Sequence, residues 1–297
     1  FTNMKIFKKI FSLPFVQSEE IKEGIKFPKT PNNVIRIITN QEATDSYKLN
    51  FCSGITLMTE KEILEKLKNS SLDKESVSDW PYAINEACNQ KVLGINIEGK
   101  NNPPLEIFIP GHENSLSATR ILIHLKEESE LEMLQVMVGE EKSANSNLIE
   151  IDLAKNSKLK HGLIANGKLT SILLAQLIIN QSERSIYELN SIQHGWDLSR
   201  LEPKICQKEG AANTIIRGLQ VSKGNEQLST HSEVTFKGPD GTLDQLQKSV
   251  ISQKSHCIFN GAINVPQVAQ RTNASQISRN LLMSNRGKID TKPELQI

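Results

Sequence analysis

The chain has 297 residues, 37% of them hydrophobic and 23% charged, with a formal net charge of +1. Near-neutrality excludes nucleic acid as the main ligand, because neutralising phosphates needs clustered Lys and Arg. No uncharged apolar run approaches the roughly 18 residues of a membrane-spanning helix, and the richest stretch, Ile172 to Ile179, has the length of a strand.

Taken from the start, Phe1 to Phe15 mixes Lys5, Lys8 and Lys9 with Ile6, Ile10 and Phe11. It lacks the longer apolar core and small-residue cleavage site of a signal peptide. The chain reads as a fragment: Phe1 stands where Met is expected, with Met4 as an alternative start, and Leu295-Gln296-Ile297 breaks off in mid-strand pattern. Residues 1–90 read as a mixed, partly helical region. Thr59-Glu60-Lys61-Glu62 is a capping box, in which hydroxyl and carboxylate each satisfy an orphan amide. Ile63, Leu64 and Leu67 then fall on one helical face. A second short helix is predicted from near Ser78 or Asp79, with Ala83, Ile84, Ala87 and Cys88 in one stripe. The polar residues Asn69, Ser70, Ser71, Asp73 and Ser76 mark the linker between the two helices.

From about 91 the texture changes. Leu93, Ile95 and Ile97 alternate with Gly94, Asn96 and Glu98. The same period of two recurs at Leu105/Ile107/Ile109, Ile121/Ile123/Leu125, Ile149/Ile151/Leu153 and Thr230/Ser232/Val234/Phe236. Such strands bury one face. Turn formers separate them, among them Lys100-Asn101-Asn102-Pro103, Glu113-Asn114-Ser115, Ala165-Asn166-Gly167 and Gly238-Pro239-Asp240-Gly241. Many short strands fit a sandwich, a barrel or a solenoid. Their number in roughly 200 residues favours a β-helix, in which each coil stacks on its neighbours and the interior fills with Ile, Val and Leu. No strict hexapeptide repeat is visible, which argues against a left-handed acyltransferase-type helix.

Motifs for catalysis are missing. There is no GxxxxGK[ST] phosphate cradle, no GxSxG nucleophile elbow and no zinc-type ligand spacing. Four scattered cysteines, Cys52, Cys88, Cys206 and Cys257, form no CxxC pair and fit a reducing compartment, the cytoplasm or a plastid stroma. Cys52, Cys88 and Cys206 read as small apolar residues, and Trp80 and Trp196 as packing residues. His256 and Cys257 are adjacent, but on a strand they point to opposite faces and cannot share a metal. His231 is expected to point outward, opposite Thr230 and Ser232. His231 and Cys257 are the two weak candidates for metal ligation.

One stretch carries a resemblance. His256-Cys-Ile-Phe-Asn-Gly-Ala-Ile-Asn-Val-Pro-Gln-Val-Ala-Gln270-Arg-Thr-Asn-Ala-Ser-Gln-Ile-Ser-Arg-Asn-Leu-Leu-Met-Ser284, followed by Ile289-Asp-Thr-Lys-Pro-Glu-Leu-Gln-Ile297, resembles the SufB/SufD family of iron–sulfur cluster assembly proteins. The matching elements are Phe-x-Gly-x-Ile-x-Val, Ala-Gln-x-Thr-x-Ala-x-Gln, Arg-Asn-Leu-Leu-x-Ser and Asp-Thr-Lys-Pro-x-Leu-x-Ile, about forty residues in order. Thr230-His231-Ser232, Gln245-Leu246-Gln247-Lys248 and Phe1-Thr2-Asn3 are similar to the family too. Gly195-Trp196-Asp197-Leu198-Ser199-Arg200 and Gly218-Leu219-Gln220-Val221 look like the cyanobacterial or plastid SufD branch.

The resemblance implies a right-handed parallel β-helix over 91–297. It implies a non-catalytic scaffold that pairs with a SufB-like subunit and works with a SufC-like ATPase, the latter bound by a C-terminal helical domain outside this chain. It implies no cofactor held stably by the chain, the iron–sulfur cluster being handled by the whole complex. The family's Asp-Val-x-Cys-Ser/Ala-His-Gly motif would follow Ile297, so none of the four cysteines corresponds to it. Residues 270–297 are then expected at the partner-binding end, with Arg279, Asp290, Thr291, Lys292, Leu295 and Ile297 in the interface. Two other readings stand beside this one, a β-helix carbohydrate-active enzyme of the pectate-lyase kind and a β-solenoid with no metal role. Against the enzyme, whose site needs clustered Asp, Arg or Lys on one outward face, Asp152 is the only aspartate between 91 and 190.

Overall fold

A computed structural model describes residues 33–39, 54–69, 80–89 and 91–297. Cys52, the Phe1-Thr2-Asn3 opening, the linker residues Ser70 to Ser76 and the Ser78/Asp79 helix start lie outside the described residues.

The alternating segments form a parallel β-solenoid. Strands β1 (Ile35–Ile38), β4 (Leu105–Pro110), β6 (Glu130–Val138), β8 (Lys158–Asn166), β10 (Ile186–His194), β12 (Asn213–Ser222), β14 (Thr242–Ile251) and β16 (Asn273–Leu282) form one sheet. The second sheet holds β2 (Ile55–Leu57), β3 (Val92–Ile97), β5 (Leu116–Leu125), β7 (Ala144–Leu153), β9 (Ile172–Gln181), β11 (Leu198–Gln207), β13 (Gln227–Phe236), β15 (His256–Asn264) and β17 (Lys288–Gln296). From β4 onward the chain alternates between the sheets, and each strand hydrogen-bonds to the strand one coil before and after it. All pairs are parallel except β2 with β3. Residues before position 90 take part in both sheets, since β1 pairs with β4 and β2 with β3.

A corner device repeats along the stack. Ser115, Ser129, Ser143, Ser157, Ser171 and Ser185 recur every fourteen residues, one per half coil, and all are buried. The residue before each holds a positive φ, from 54° at Lys142 to 77° at Thr170. A left-handed conformation costs a non-glycine residue roughly 1–2 kcal/mol. The serines help to hold it: Ser143 Oγ donates to the Glu140 carbonyl at 2.8 Å and Ser157 Oγ to the Ala154 carbonyl at 2.7 Å. Ion pairs link residues 28 apart, strand to strand as Lys160 with Glu132 at 2.8 Å and corner to corner as Lys155 with Glu183 at 2.6 Å.

The inward column Ile97, Leu125, Leu153 stands in register and is fully buried with its neighbours Ile95, Ile123 and Ile151. Each such side chain contributes about 1.5–3 kcal/mol on burial. The expected aliphatic interior continues into the later coils, where Leu189, Leu201, Ile216, Leu228, Val234 and Ile251 are buried in the same core. From β10 onward polar side chains join the apolar ones inside: the Gln193 and Gln220 amides both donate to Thr230 Oγ1, at 2.8 and 3.1 Å, and Ser249 Oγ donates to Gln220 Oε1 at 3.0 Å. Amides and hydroxyls on neighbouring strands partner one another, which offsets the desolvation cost of burying them.

Two helices lie on the outer face of the second sheet. In α1 (Glu60–Asn69) the capping box forms: the Thr59 amide donates to Glu62 Oε2 at 2.7 Å and the Glu62 amide to Thr59 Oγ1 at 3.3 Å. Leu64, expected on the buried face, is 57% exposed, because the helix meets the sheet along the narrow strip of Ile63, Lys66 and Leu67. In α2 (Trp80–Cys88) the expected stripe is also rotated: Ala83 and Ala87 are exposed, while Pro81, Tyr82, Ile84 and Asn85 are buried. Polar anchoring sets this face, since Asn85 Nδ2 donates to the Thr119 and Ser146 carbonyls at 3.1 and 2.8 Å. Ile84 covers a small apolar cluster of Leu116, Ala144, Ile172, Leu174 and Leu198.

Candidate functional site

The two candidate ligands from the sequence do not meet. Alternation along β13 and β15 turns His231 outward and Cys257 inward. Cys257 is fully buried, 3.2 Å from Ser222 Oγ, and burial pushes its thiol pKa up, so it stays protonated and is a poor nucleophile or ligand. His256 faces outward as expected, with Nε2 2.8 Å from Asp290 Oδ2. Among the described residues no group of three or more His, Cys, Asp or Glu is placed to hold a metal ion. Cys88 and Cys206 are half-buried, and Trp196 is wholly buried.

His231 belongs instead to a polar network on the outer face beside α2. Gln176 Nε2 donates to Glu202 at 2.6 Å, Glu202 pairs with Arg200, and Arg200 Nη1 lies 3.4 Å from His231 Nε2. Asn260 Nδ2 sits 3.2 Å from His231 Nδ1. Arginine only donates and a neutral imidazole has a single accepting nitrogen, so the ring accepts from one of these two neighbours at a time. Trp80 of α2 stacks under the Arg200 guanidinium, 5.7 Å from the ring centroid. The network spans β9, β11, β13 and β15 and fastens successive coils.

A second cluster escaped the sequence reading. Between α1 and the sheet runs a groove of about 620 Å³. On its floor His124, Asp152 and Asn180 stand in register on β5, β7 and β9. Lys66 reaches down from α1, its Nζ 3.1 Å from His124 Nδ1 and 3.0 Å from Asp152 Oδ2, and Asn180 Nδ2 donates to Asp152 Oδ1 at 3.0 Å. Burial, with Lys66 and Lys126, lowers the His124 pKa. Burial alone would raise the Asp152 carboxyl, but Lys66, Asn180 and Lys208 together hold it below its usual value. Only the 28-residue coil repeat brings His124 and Asp152 together, and the corner serines are the sequence signal from which it can be read.

The six expected interface residues all lie on the last described coil and all are exposed. They do not share one face. Arg279 points outward from the first sheet, in register with Lys248. Asp290 and Lys292 point outward from the second sheet, where Lys292 pairs with Glu294. Thr291 and Leu295 follow the inward-facing Phe259 and Ile263, with Ile297 just beyond the strand. Together they form the rim of the coil rather than a flat patch.

A family model described as SUF system FeS cluster assembly, SufBD core domain, matches residues 108–297. An iron–sulfur cluster assembly SufBD family protein of Synechocystis is 35% identical over 153 residues, 52% of this chain and 34% of that protein. The Arabidopsis thaliana chloroplastic protein ABCI7 is 27% identical over 186 residues, 61% of this chain and 39% of the relative. The iron–sulfur cluster assembly protein SufD of Escherichia coli is 30% identical over 156 residues, 52% of this chain and 34% of that protein. The match thus spans between a third and two fifths of each of these relatives.

Proposed function

Since the chain belongs to the SufBD family of SUF iron–sulfur cluster assembly proteins, we propose that it is a scaffold subunit of such an assembly machine, without catalysis of its own. The observation that carries this reading is the coincidence of the family match with the solenoid itself: residues 108–297 take in every complete coil from β5 to β17. The backbone ladders along the rod are filled by neighbouring coils, with a break in the β11–β13 ladder at Glu202 and Pro203, which makes a stiff platform. The outer polar networks described above tie coils together and arrange no nucleophile against a base. That is the chemistry of a support.

In this reading the cluster is cargo, built by the assembled complex and passed on, and no cofactor is held stably by this chain. A SufB-like subunit pairs at the rim formed by Arg279, Asp290, Thr291, Lys292, Leu295 and Ile297, and a SufC-like ATPase supplies nucleotide hydrolysis. What supports the rim is the resemblance carried by residues 256–297, which holds these six residues, together with the family match that runs through the same strands. The relatives point to a bacterial cytoplasm or a plastid stroma, and no helix among the described residues is long and apolar enough to cross a membrane.

Affinity purification of the full-length protein from its own cells, followed by mass spectrometry, tests the proposal. Co-recovery of a SufB-like subunit and a SufC-like ATPase supports it. Recovery of the protein free of both contradicts it.

A further inference from the structure

Helix α1 is thinly anchored. Ile63 and Leu67 are its only half-buried apolar side chains. Ile63 approaches the sheet closely because position 94 is glycine, where a Cβ would lie 2.9 Å from Ile63 Cγ1. The remaining described ties to the sheet are polar: Asn96 Nδ2 donates to Glu62 Oε1 at 3.2 Å, and Lys66 reaches both His124 and Asp152. An ammonium has no lone pair to offer, so His124 Nδ1 must accept from Lys66 and the imidazole is neutral, its proton on Nε2.

We infer that Lys66 and His124 form an acid-labile latch, holding α1 closed over the groove at neutral pH and releasing it in acid. A protonated imidazole cannot accept from Lys66 and sets a second cation beside it. The other charges facing His124 leave this logic intact, because nearly all are already engaged. On α1, Glu62 is held by Thr59 and Asn96, and Glu65 stands at the exposed rim. From the sheet side, Glu98 pairs with Lys126 at 2.6 Å, Glu150 with Arg120 at 2.7 Å, and Asp152 with Lys66. Lys208, at the groove's end, adds positive charge and opposes protonation of the closed state. Freed from the groove, His124 regains an ordinary affinity for protons, so opening is favoured as pH falls below about 6.5. Glu62 and Asp152 are both held below the usual carboxylate range and stay ionised at pH 5.5.

Hydrogen–deuterium exchange on the intact chain at pH 7.5 and 5.5, corrected for intrinsic rates, tests the latch, with the β9 amides as an internal reference. In the wild type, protection of residues 60–69 falls on acidification, by up to about tenfold per pH unit spent between the two pKa values. In His124→Gln, whose amide oxygen accepts at either pH, protection stays constant. In Lys66→Met it is low at both. The latch is overturned by wild-type protection that is equal at the two pH values, or by a wild-type-sized loss in His124→Gln. Should β9 protection show that His124→Gln has unfolded, Lys66→Met decides alone, and a wild-type pH response in it overturns the latch.

Discussion

Trp196 occupies the space that a side chain at Gly167 would need: a Cβ built on Gly167 would lie 2.5 Å from the indole Cδ2. The indole is wholly buried and also spreads over Gly139, one coil further back, where a Cβ would come within 2.4 Å of it. Two glycines on successive coils thus open a slot for one large ring.

Gly167→Ala is therefore expected to destabilise by about 1–3 kcal/mol, the usual cost of overpacking. Thermal unfolding checks this. Because both residues share the slot, adding Trp196→Leu to Gly167→Ala costs less than the sum of the two single changes.

Arg120 and Glu150 face each other at 2.7 Å under α2, with about a tenth of each side chain exposed, and Tyr82 Oη lies 3.3 Å from the guanidinium. Removing one partner strands the other charge. Glu150→Gln is expected to cost about 3 kcal/mol or more, and replacing both residues by apolar ones much less. A double-mutant cycle on denaturant midpoints measures the difference.

His161 is fully buried between Tyr187 Oη and Gln135 Oε1, each 3.0 Å away, and desolvation lowers its pKa to about 3. The unfolded chain therefore takes up a proton that the folded one refuses. Stability is retained above the unfolded value of about 6.5 and lost as pH falls from there toward 3, by at most about 1.4 kcal/mol per unit. Melting temperature measured from pH 7 to 4.5 should fall more steeply for the wild type than for His161→Gln. Parallel slopes would show that other groups carry the acid sensitivity.

The solenoid was legible in the sequence because its strands follow strict alternation: Ile121, Ile123 and Leu125 were read as one buried face and are one. What escaped was anything set by stacking. His124 and Asp152 are 28 positions apart and become neighbours only through the coil register. The helix faces were misjudged for a related reason, since Asn85 and Lys66 take their places from partners on distant strands, while hydrophobic periodicity pointed to Ala83 and Leu64. The polar interior around Gln220 is invisible to a rule that expects apolar residues inside, because glutamine is buried only where another coil supplies its partner.

The central claim concerns a rim that meets a sister subunit, and the most direct measurement is the affinity of the full-length protein for its SufB-like partner by titration calorimetry. Arg279→Glu combined with Lys292→Glu places two reversed charges on that rim, on opposite faces of the rod. The account predicts binding by the wild type and at least about a tenfold loss in the double variant, the scale of one disrupted interfacial charge pair. Equal affinities for the two proteins would contradict it.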